Sequence, residues 1–216
     1  MSELKTSKEK DEATLETKTR YDRIAPIYDL LEGLVERLAF SKWRGQLMKR
    51  IEGEEILEVG TGTGKNLSYY PSGVKVTAMD ISREMLKRAE PRAKRAKASV
   101  ALRVMDVEAI DFPGDYFDTS LATFVFCSVP DPIKGLQEMK RVTKSDGKIL
   151  LLEHMRPNRE LLGKIFDLVN PLIVKTLGPN INRKTMENIR KAGLEINWTR
   201  TLTGYGIVKL IEASPT

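Results

Sequence analysis

The stretch "EEILEVGTGTGKNL", residues 54–67, joins an apolar run to three closely spaced glycines. The apolar run is typical of a buried strand, and Gly60, Gly62 and Gly64 follow it at intervals of two residues. Glycine lets the backbone turn sharply and lets a ligand approach the main chain closely. Because open α/β sheets bind ligands at the carboxyl ends of their strands, the stretch predicts a ligand site where this strand ends.

The segments around this stretch predict an α/β fold with a doubly wound sheet. Short β-rich runs alternate with helical segments, which implies right-handed βαβ crossovers and a mostly parallel sheet with helices on both faces. Two C-terminal strands joined at Thr203–Gly204 would add an antiparallel hairpin and bring the sheet to seven strands. The predicted strands are residues 54–59, 74–80, 99–105, 116–126, 147–154, 194–202 and 205–213, and the predicted helical segments are 64–70, 82–97, 132–143, 159–178 and 184–193.

The N-terminal quarter predicts additional helices. Residues 1–20 are rich in charge and predict a solvated tail or a frayed helix. Between residues 21 and 51 apolar side chains recur at helical spacing, so we expect two or three amphipathic helices, interrupted at Pro26 and at "FSKWRG", residues 40–45. The later helix 159–178 is expected to kink at Pro171.

The composition of the chain limits which disulfides, metal sites and membrane spans it can form. A chain of 216 residues is long enough for one well-buried domain. Cys127 is its only cysteine and His154 its only histidine, so neither a disulfide nor a zinc site with three or four ligands is expected, and no metal is predicted. The sequence has no run of 18 apolar residues and no signal-peptide core, so we expect a cytoplasmic protein, or one that rests on a membrane from the cytoplasmic side.

An acidic residue at the end of the second predicted strand indicates a ribose. Asp80 lies 20 residues after Gly60, where a carboxylate can accept both hydroxyl protons of a ribose. The dinucleotide fingerprint G-x-G-x-x-G is not matched, because the three glycines are spaced by two and Lys65 follows. A ribose is therefore expected, and a pyrophosphate is not.

Five motifs carry a family resemblance: "LEVGTGTG", "VTAMDIS", "VMDVEAIDFP", "DTSLATFVFCSVPDP" and "LQEMKRVTKSDGKILLLEH". In this order they resemble the successive motifs of class I S-adenosylmethionine-dependent methyltransferases, over roughly residues 20–213. The resemblance implies a Rossmann-like methyltransferase domain over residues 21–216, with residues 21–51 as a helical lid and residues 155–180 as a cover over the acceptor site. It also implies that the cofactor is S-adenosyl-L-methionine.

The resemblance further implies roles for twelve cofactor-binding residues. Glu58 would lie near the methionine amino group, with Gly60, Thr61, Gly62 and Gly64 along the methionine and ribose, and Asp80 on the ribose hydroxyls. Ile81 and Met85 would flank the adenine, Asp106 and Val107 would meet its edge, and Phe124 and Val125, on the fourth strand, would lie under the sulfonium. Such a donor is already activated, so positioning and desolvation suffice without a metal or a covalent nucleophile.

Further motifs bear on the methyl acceptor. "RYDRIAPIYDLL" resembles the quinone C-methyltransferases and the bacterial phospholipid N-methyltransferases, while "FVFCSVPDP", "LLLEHMRP" and "GPNINRKT" are similar to membrane-associated thiol methyltransferases. All three groups handle lipophilic acceptors or work at membranes. The apolar helix 159–178 fits core packing and a lipid-facing cover equally well, and the second reading favours a phosphatidylethanolamine-type amine and an anionic membrane surface. The cations available for lipid phosphates are Lys42, Arg44, Lys49, Arg50, Lys164 and Lys175.

Three residues are candidates for acting on the acceptor. Tyr21 and Tyr28 precede the glycine turn, and their hydroxyls are expected to orient the acceptor or the methionine carboxylate; ordinary amphipathic packing is the alternative. His154 ends the fifth predicted strand and is a candidate proton acceptor, with a structural role equally expected. Cys127 is expected to be a small buried residue.

The sequence also bears on two other classes of function. A non-catalytic sensor that binds S-adenosylmethionine would need a blocked acceptor pocket. A nucleic-acid substrate is not expected, because "CSVPDP" follows the fourth strand where amino-group methylases of bases carry Asn- or Asp-Pro-Pro-Tyr.

Overall fold

A computed structural model describes residues 7–35, 40–176 and 178–215. The helices are α1 (Ser7–Val35), α2 (Ser41–Met48), α3 (Arg83–Ala93), α4 (Pro132–Val142), α5 (Glu160–Thr176) and α6 (Thr185–Lys191). The strands are β1 (Glu55–Val59), β2 (Lys75–Asp80), β3 (Ser99–Val104), β4 (Phe117–Thr123), β5 (Thr143–His154), β6 (Leu194–Thr201) and β7 (Val208–Pro215). Short 3-10 turns occupy Lys65–Ser68 and Gly204–Gly206.

The seven strands form one sheet in the order β3-β2-β1-β4-β5-β7-β6. Strands β1 to β5 are parallel to one another, and β7 runs antiparallel to both β5 and β6. The predicted doubly wound, mostly parallel sheet with an antiparallel C-terminal hairpin is confirmed. The strand order reverses between β1 and β4, and such a switch point opens a crevice at the carboxyl ends of the strands.

Helices cover both faces of the sheet and enclose two apolar cores. Neighbouring strand residues point to opposite faces, so Leu150 belongs to the core beneath α2 and α3, whereas Leu151 belongs to the core beneath α4 and α6. The central strands are apolar on both sides for this reason, and Ile56 and Leu57 of β1 are both fully buried. The sheet is thereby a rigid support for the crevice at its carboxyl edge.

The N-terminal helices differ from the prediction. Helix α1 begins at Ser7, crosses residue 20 and passes through Pro26 without ending, and most of "FSKWRG" lies within α2. The predicted breaks at Pro26 and at residues 40–45 were wrong. A proline inside a helix costs about 3 kcal/mol, since it removes one backbone hydrogen bond. Asp22 and Asp29, on either side of Pro26, bind Ser82 and Arg92, and these tertiary contacts hold the helix together across the proline.

Candidate active site

The glycine turn after β1 adopts a conformation that other residues avoid. Gly60, Gly62 and Gly64 have φ angles of 62°, 57° and 80°, in the left-handed region. A Cβ at Gly60 would lie 2.5 Å from Cγ2 of Val125, so the turn packs tightly against the loop that follows β4. A Cβ at Gly62 would meet no atom within 4 Å, so the main chain there faces open space. The turn is therefore closed at Gly60 and exposed to a ligand at Gly62.

Asp80 ties this turn to the start of α3. Its Oδ2 accepts a hydrogen bond of 2.9 Å from the Gly62 amide, and its Oδ1 accepts one of 2.8 Å from the Ser82 amide. Burial raises the pKa of Asp80 to about 6 although these hydrogen bonds lower it. Each carboxylate oxygen retains a second lone pair, so Asp80 can still accept hydrogen bonds from a ligand.

A cavity opens above this carboxylate at the carboxyl edge of β1, β2 and β4. It encloses about 710 Å³ of empty space, part of it open to solvent. Its walls bring together nine of the predicted cofactor residues, namely Gly60, Gly62, Asp80, Ile81, Met85, Asp106, Val107, Phe124 and Val125, and also Tyr21 and Tyr28. We call this space the main cavity.

A smaller polar space adjoins the main cavity and shares Tyr28, Gly60, Gly62, Thr123 and Phe124 with it. We call it the side pocket; it is also lined by Arg44, Glu58, Thr61, Thr63, Lys65 and Asn66. Gly64 lines neither space, and a Cβ there would meet Leu67 and Ala89 at 2.8 and 2.9 Å, so it serves the close packing of α3 on the turn.

The floor of the side pocket is a buried polar network. Glu58 accepts hydrogen bonds of 3.0 Å from Asn66 Nδ2 and 2.7 Å from the Tyr70 hydroxyl, and Arg44 donates to Asn66 Oδ1 at 2.8 Å. Burial raises the pKa of Glu58, while the hydrogen bonds oppose that rise. Arg44 was predicted to face lipid phosphates, and that was wrong: it is only 6% exposed, since it belongs to this network.

The loop after β4 is shaped by a buried carboxylate that sequence analysis missed. Strand β4 ends at Thr123, and Phe124 has a φ of 57°, so Phe124 and Val125 lie in a loop and their predicted place on the strand was wrong. Glu153 Oε1 accepts hydrogen bonds of 2.8 and 3.1 Å from the Val125 and Phe126 amides. These bonds turn the chain out of the extended conformation and present Phe124 to the main cavity.

Helix α1 lies against the open side of the site and is held there by polar contacts. The Tyr21 hydroxyl is 2.7 Å from Ser128 Oγ, and Asp22 accepts a hydrogen bond of 2.6 Å from Ser82 Oγ. Asp29 accepts hydrogen bonds of 2.7 Å from Thr63 Oγ1 and 2.8 Å from Arg92. Although burial acts in the opposite direction, these bonds lower the pKa of Asp29, so it is ionised at neutral pH.

Comparison with known proteins decides the family. The profile of the family described as "Methyltransferase domain" matches residues 57–151. A phosphatidylethanolamine N-methyltransferase from Cereibacter sphaeroides is 34% identical over 141 residues, covering 64% of this chain and 68% of that protein. This chain belongs to the S-adenosylmethionine-dependent methyltransferases.

Other relatives agree with this assignment. A ubiquinone/menaquinone biosynthesis C-methyltransferase from Geotalea uraniireducens is 30% identical over 167 residues, covering 73% of this chain and 71% of that protein. The structure of a SAM-dependent methyltransferase from Thermotoga maritima, described as a possible histamine N-methyltransferase, superposes with a TM-score of 0.70 at 20% identity, over 92% of this chain and 99% of that one. The methyltransferase thus shares its fold with solved relatives whose sequences are much less similar.

The site of the methyltransferase fits S-adenosylmethionine. The main chain at Gly62 is open where a Cβ would project, which suits a ligand that lies against the turn. Asp80 presents carboxylate lone pairs to the main cavity, and the side pocket is lined by the carboxylate of Glu58 and the cations of Arg44 and Lys65. Acidic and basic groups are together what a ligand with both an ammonium and a carboxylate group requires.

His154 ends β5 outside the walls of the main cavity and of the side pocket, as far as the described residues show. Its ring centroid lies 6.2 Å from that of Phe124, which does line the cavity. Burial lowers the pKa of His154, so the imidazole is neutral near pH 7, although the Asn180 backbone carbonyl opposes the shift. Its catalytic role stays a prediction.

Burial raises the pKa of the Cys127 thiol to about 12, which keeps this thiol protonated.

The predicted lipid-facing cations differ in their exposure. Arg50 hydrogen-bonds Glu212 at 2.7 Å and its guanidinium lies 4.0 Å from the Trp198 ring, so it is engaged on the protein itself. Lys42, Lys49, Lys164 and Lys175 are exposed.

No group of three or more potential metal ligands occurs in the described parts of the chain. None of the described helices is both long and apolar enough to cross a membrane.

Proposed function

We propose that the enzyme methylates the amine of a phosphatidylethanolamine-type headgroup. The observation that carries this proposal is the aromatic lining of the main cavity by Tyr21, Tyr28 and Phe124. The Tyr21 and Tyr28 rings meet edge to face with centroids 6.4 Å apart, and Phe124 lines the same cavity. Aromatic faces attract quaternary and methylated ammonium groups by cation–π interactions, which suits the product of amine methylation.

We assign the cofactor-binding roles as follows. Asp80 would accept the ribose hydroxyl protons, while Ile81, Met85, Asp106 and Val107 would surround the adenine. Glu58, Thr61 and the side-pocket cations would receive the methionine end. Gly60 and Gly62 would let the cofactor lie against the turn, with Phe124 and Val125 beside the reacting centre, and Gly64 would keep the turn close to α3. Bound in this way, the cofactor supplies an activated methyl group.

The chain's own contribution would be orientation and the exclusion of water. Tyr21 Oη and Ser128 Oγ, 2.7 Å apart at the cavity wall, can accept a hydrogen bond from the acceptor amine and so direct its lone pair. Glu153 would hold the Phe124 loop in place, and α1 would shield the reacting atoms from water. His154 remains the candidate proton acceptor and Tyr28 a second orienting residue.

A second candidate reaction is C-methylation of a quinone precursor. It is favoured by the relative from Geotalea uraniireducens, which is named for that activity. The same aromatic walls could stack on a quinone ring. Methylation of a thiol is supported only by the resemblance of three short motifs, so it enters as an arm of the assay.

The proposal is tested by following the methyl group of isotopically labelled S-adenosylmethionine. The acceptors are phosphatidylethanolamine in vesicles of phosphatidylcholine and phosphatidylglycerol, a demethylated quinone precursor and a small thiol, each assayed separately. We expect label in phosphatidylethanolamine. Label only in the quinone or only in the thiol would overturn the amine assignment. Asp80→Ala, which lacks the ribose carboxylate, is the negative control, and His154→Ala with full turnover would exclude His154 from the chemistry.

A further inference from the structure

Helix α5 turns an apolar face toward solvent. Leu161, Ile165, Leu168 and Leu172 follow each other at spacings of four, three and four residues, so they lie along one side of the helix. Leu161 is 77% exposed, Leu168 81% and Leu172 65%. A helix on a globular domain ordinarily buries its apolar side and exposes its polar side. We call these four residues the α5 face.

The opposite side of α5 is the side that packs on the protein. Gly163 is buried, and a Cβ there would lie 2.3 Å from the Arg156 guanidinium. Asn170 accepts a hydrogen bond of 2.9 Å from the Ile181 amide and also bonds the Asn180 side chain. These contacts fix the rotation of the helix about its axis. The exposure of the α5 face is therefore built into the fold.

The charges around the α5 face are arranged by sign. Lys164 and Lys175 are exposed beside it, and neither forms a salt bridge among the described residues. The acidic residues of the helix point away from the face: Arg156 pairs with Asp167 at 2.9 Å and with Glu160 at 3.6 Å. An apolar strip with a positive rim is complementary to a bilayer that contains anionic lipids. A second copy of the chain would instead bring two positive rims together.

An exposed aromatic residue, Tyr205, lies next to the start of the helix. Tyr205 is 52% exposed, and the Arg159 guanidinium lies 4.8 Å from its ring centroid. The Tyr205 carbonyl accepts a 2.9 Å hydrogen bond from the Asn158 amide, which holds Tyr205 next to the beginning of α5. Tyrosine is enriched at the boundary between lipid and water, because its ring is apolar and its hydroxyl is polar.

We propose that the α5 face, with Lys164, Lys175 and Tyr205, docks the enzyme on the surface of a bilayer containing anionic lipids, with the helix lying in the plane of the interface. The proposal goes beyond the acceptor assignment and does not rest on it. Replacing one exposed leucine of the face by glutamine removes apolar burial that corresponds to roughly tenfold in affinity or more. Removing one lysine near an anionic surface corresponds to roughly fivefold.

The test is sedimentation of the full chain with vesicles that lack phosphatidylethanolamine, so that no acceptor is present. Vesicles of phosphatidylcholine alone are compared with vesicles that also contain phosphatidylglycerol. We expect binding to the anionic vesicles, a loss of roughly 100-fold for Leu161→Gln/Leu168→Gln, and roughly 25-fold for Lys164→Gln/Lys175→Gln. The control is Val104→Thr, which changes an exposed apolar residue on the edge strand β3, and it should bind as the unaltered chain does.

Three outcomes would overturn the proposal. Unaltered binding by both double variants would place the membrane contact elsewhere. Absence of vesicle binding together with a dimer that Leu161→Gln/Leu168→Gln dissolves would assign the face to a second copy of the chain. Absence of both vesicle binding and a dimer would leave the face without a docking role. Vesicle binding without methylation of phosphatidylethanolamine would contradict the acceptor assignment and leave the docking surface intact.

Discussion

Replacing Glu153 by glutamine tests whether the loop under the main cavity is held by a buried carboxylate. Glu153 is fully buried, and its Oε1 accepts the hydrogen bonds from the Val125 and Phe126 amides. Its Oε2 is buried without a hydrogen-bond partner among the described residues. Burial raises the pKa of Glu153 from 4.5 to about 7. Glutamine can accept the same two hydrogen bonds through its own Oε1 but cannot ionise.

The sign of the effect follows from proton binding. Between pH 4.5 and about 7 the folded state holds the Glu153 proton while the unfolded state has lost it, so the free energy of unfolding falls as pH rises. The free energy of unfolding changes by about 1.4 kcal/mol per pH unit, so it falls by about 3 kcal/mol across this pH range. We therefore expect Glu153→Gln to match the unaltered enzyme near pH 4.5 and to be more stable by about 3 kcal/mol at pH 8.

The measurement is urea unfolding followed by far-ultraviolet circular dichroism at pH 5, 6, 7 and 8, without cofactor. The control is Glu138→Gln, because a hydrogen bond from Arg141 lowers the pKa of Glu138 and leaves it ionised in both states above pH 5.5. That variant should lose stability by the same amount at every pH from 6 to 8. A stability difference for Glu153→Gln that stays constant between pH 5 and pH 8 would refute the reasoning about the buried carboxylate.

Three further predictions concern the cofactor site and its cover. Asp80→Asn should weaken S-adenosylmethionine binding by about 10- to 100-fold in calorimetry, since hydrogen bonds to a charged group contribute about 1.5–3 kcal/mol. Gly60→Ala and Gly62→Ala should each lower the free energy of unfolding by about 1–2 kcal/mol, because both glycines have a positive φ. The melting temperature should fall further for Gly60→Ala, because its Cβ would also clash with Val125, and equal falls would contradict the clash. Asp29→Asn removes an ion pair that holds α1, so amide hydrogen exchange in α1 should be faster, and unchanged exchange would show that other contacts hold the helix.

The strands of the sheet were predictable because each carries its own signal. Strand β1 contains Ile56, Leu57 and Val59 and is followed by Gly60, which adopts a positive φ, so neighbouring residues indicate both its position and its end. The end of β4 was misplaced because Phe124 and Val125 are apolar and suit a strand. Their actual conformation depends on Glu153, which lies 28 residues away from Val125 in the chain.

Part of the site was predictable for the same reason and part was not. The position of Asp80 at the main cavity was predictable because Asp80 ends a strand at a fixed distance from the glycine turn. Arg44 was assigned to the protein surface, since a basic residue on a short helix is ordinarily solvated. The Asn66 side chain and the buried Glu58 supply the partners that bring it inside, and no local pattern around Arg44 indicates them.

The sequence by itself determined the order of strands and helices, the glycine turn, the position of the Asp80 carboxylate and the family, because these depend on short-range periodicity and on motifs of adjacent residues. Only the tertiary structure decided which polar groups are buried and paired. It placed α1 over the cavity through Asp22 and Asp29, turned Phe124 inward through Glu153, and rotated α5 so that its leucines face solvent. The physical reason is that a charge or an apolar side chain acquires its role from neighbours that are distant in sequence, and only the packed chain brings those neighbours within hydrogen-bonding or van der Waals distance.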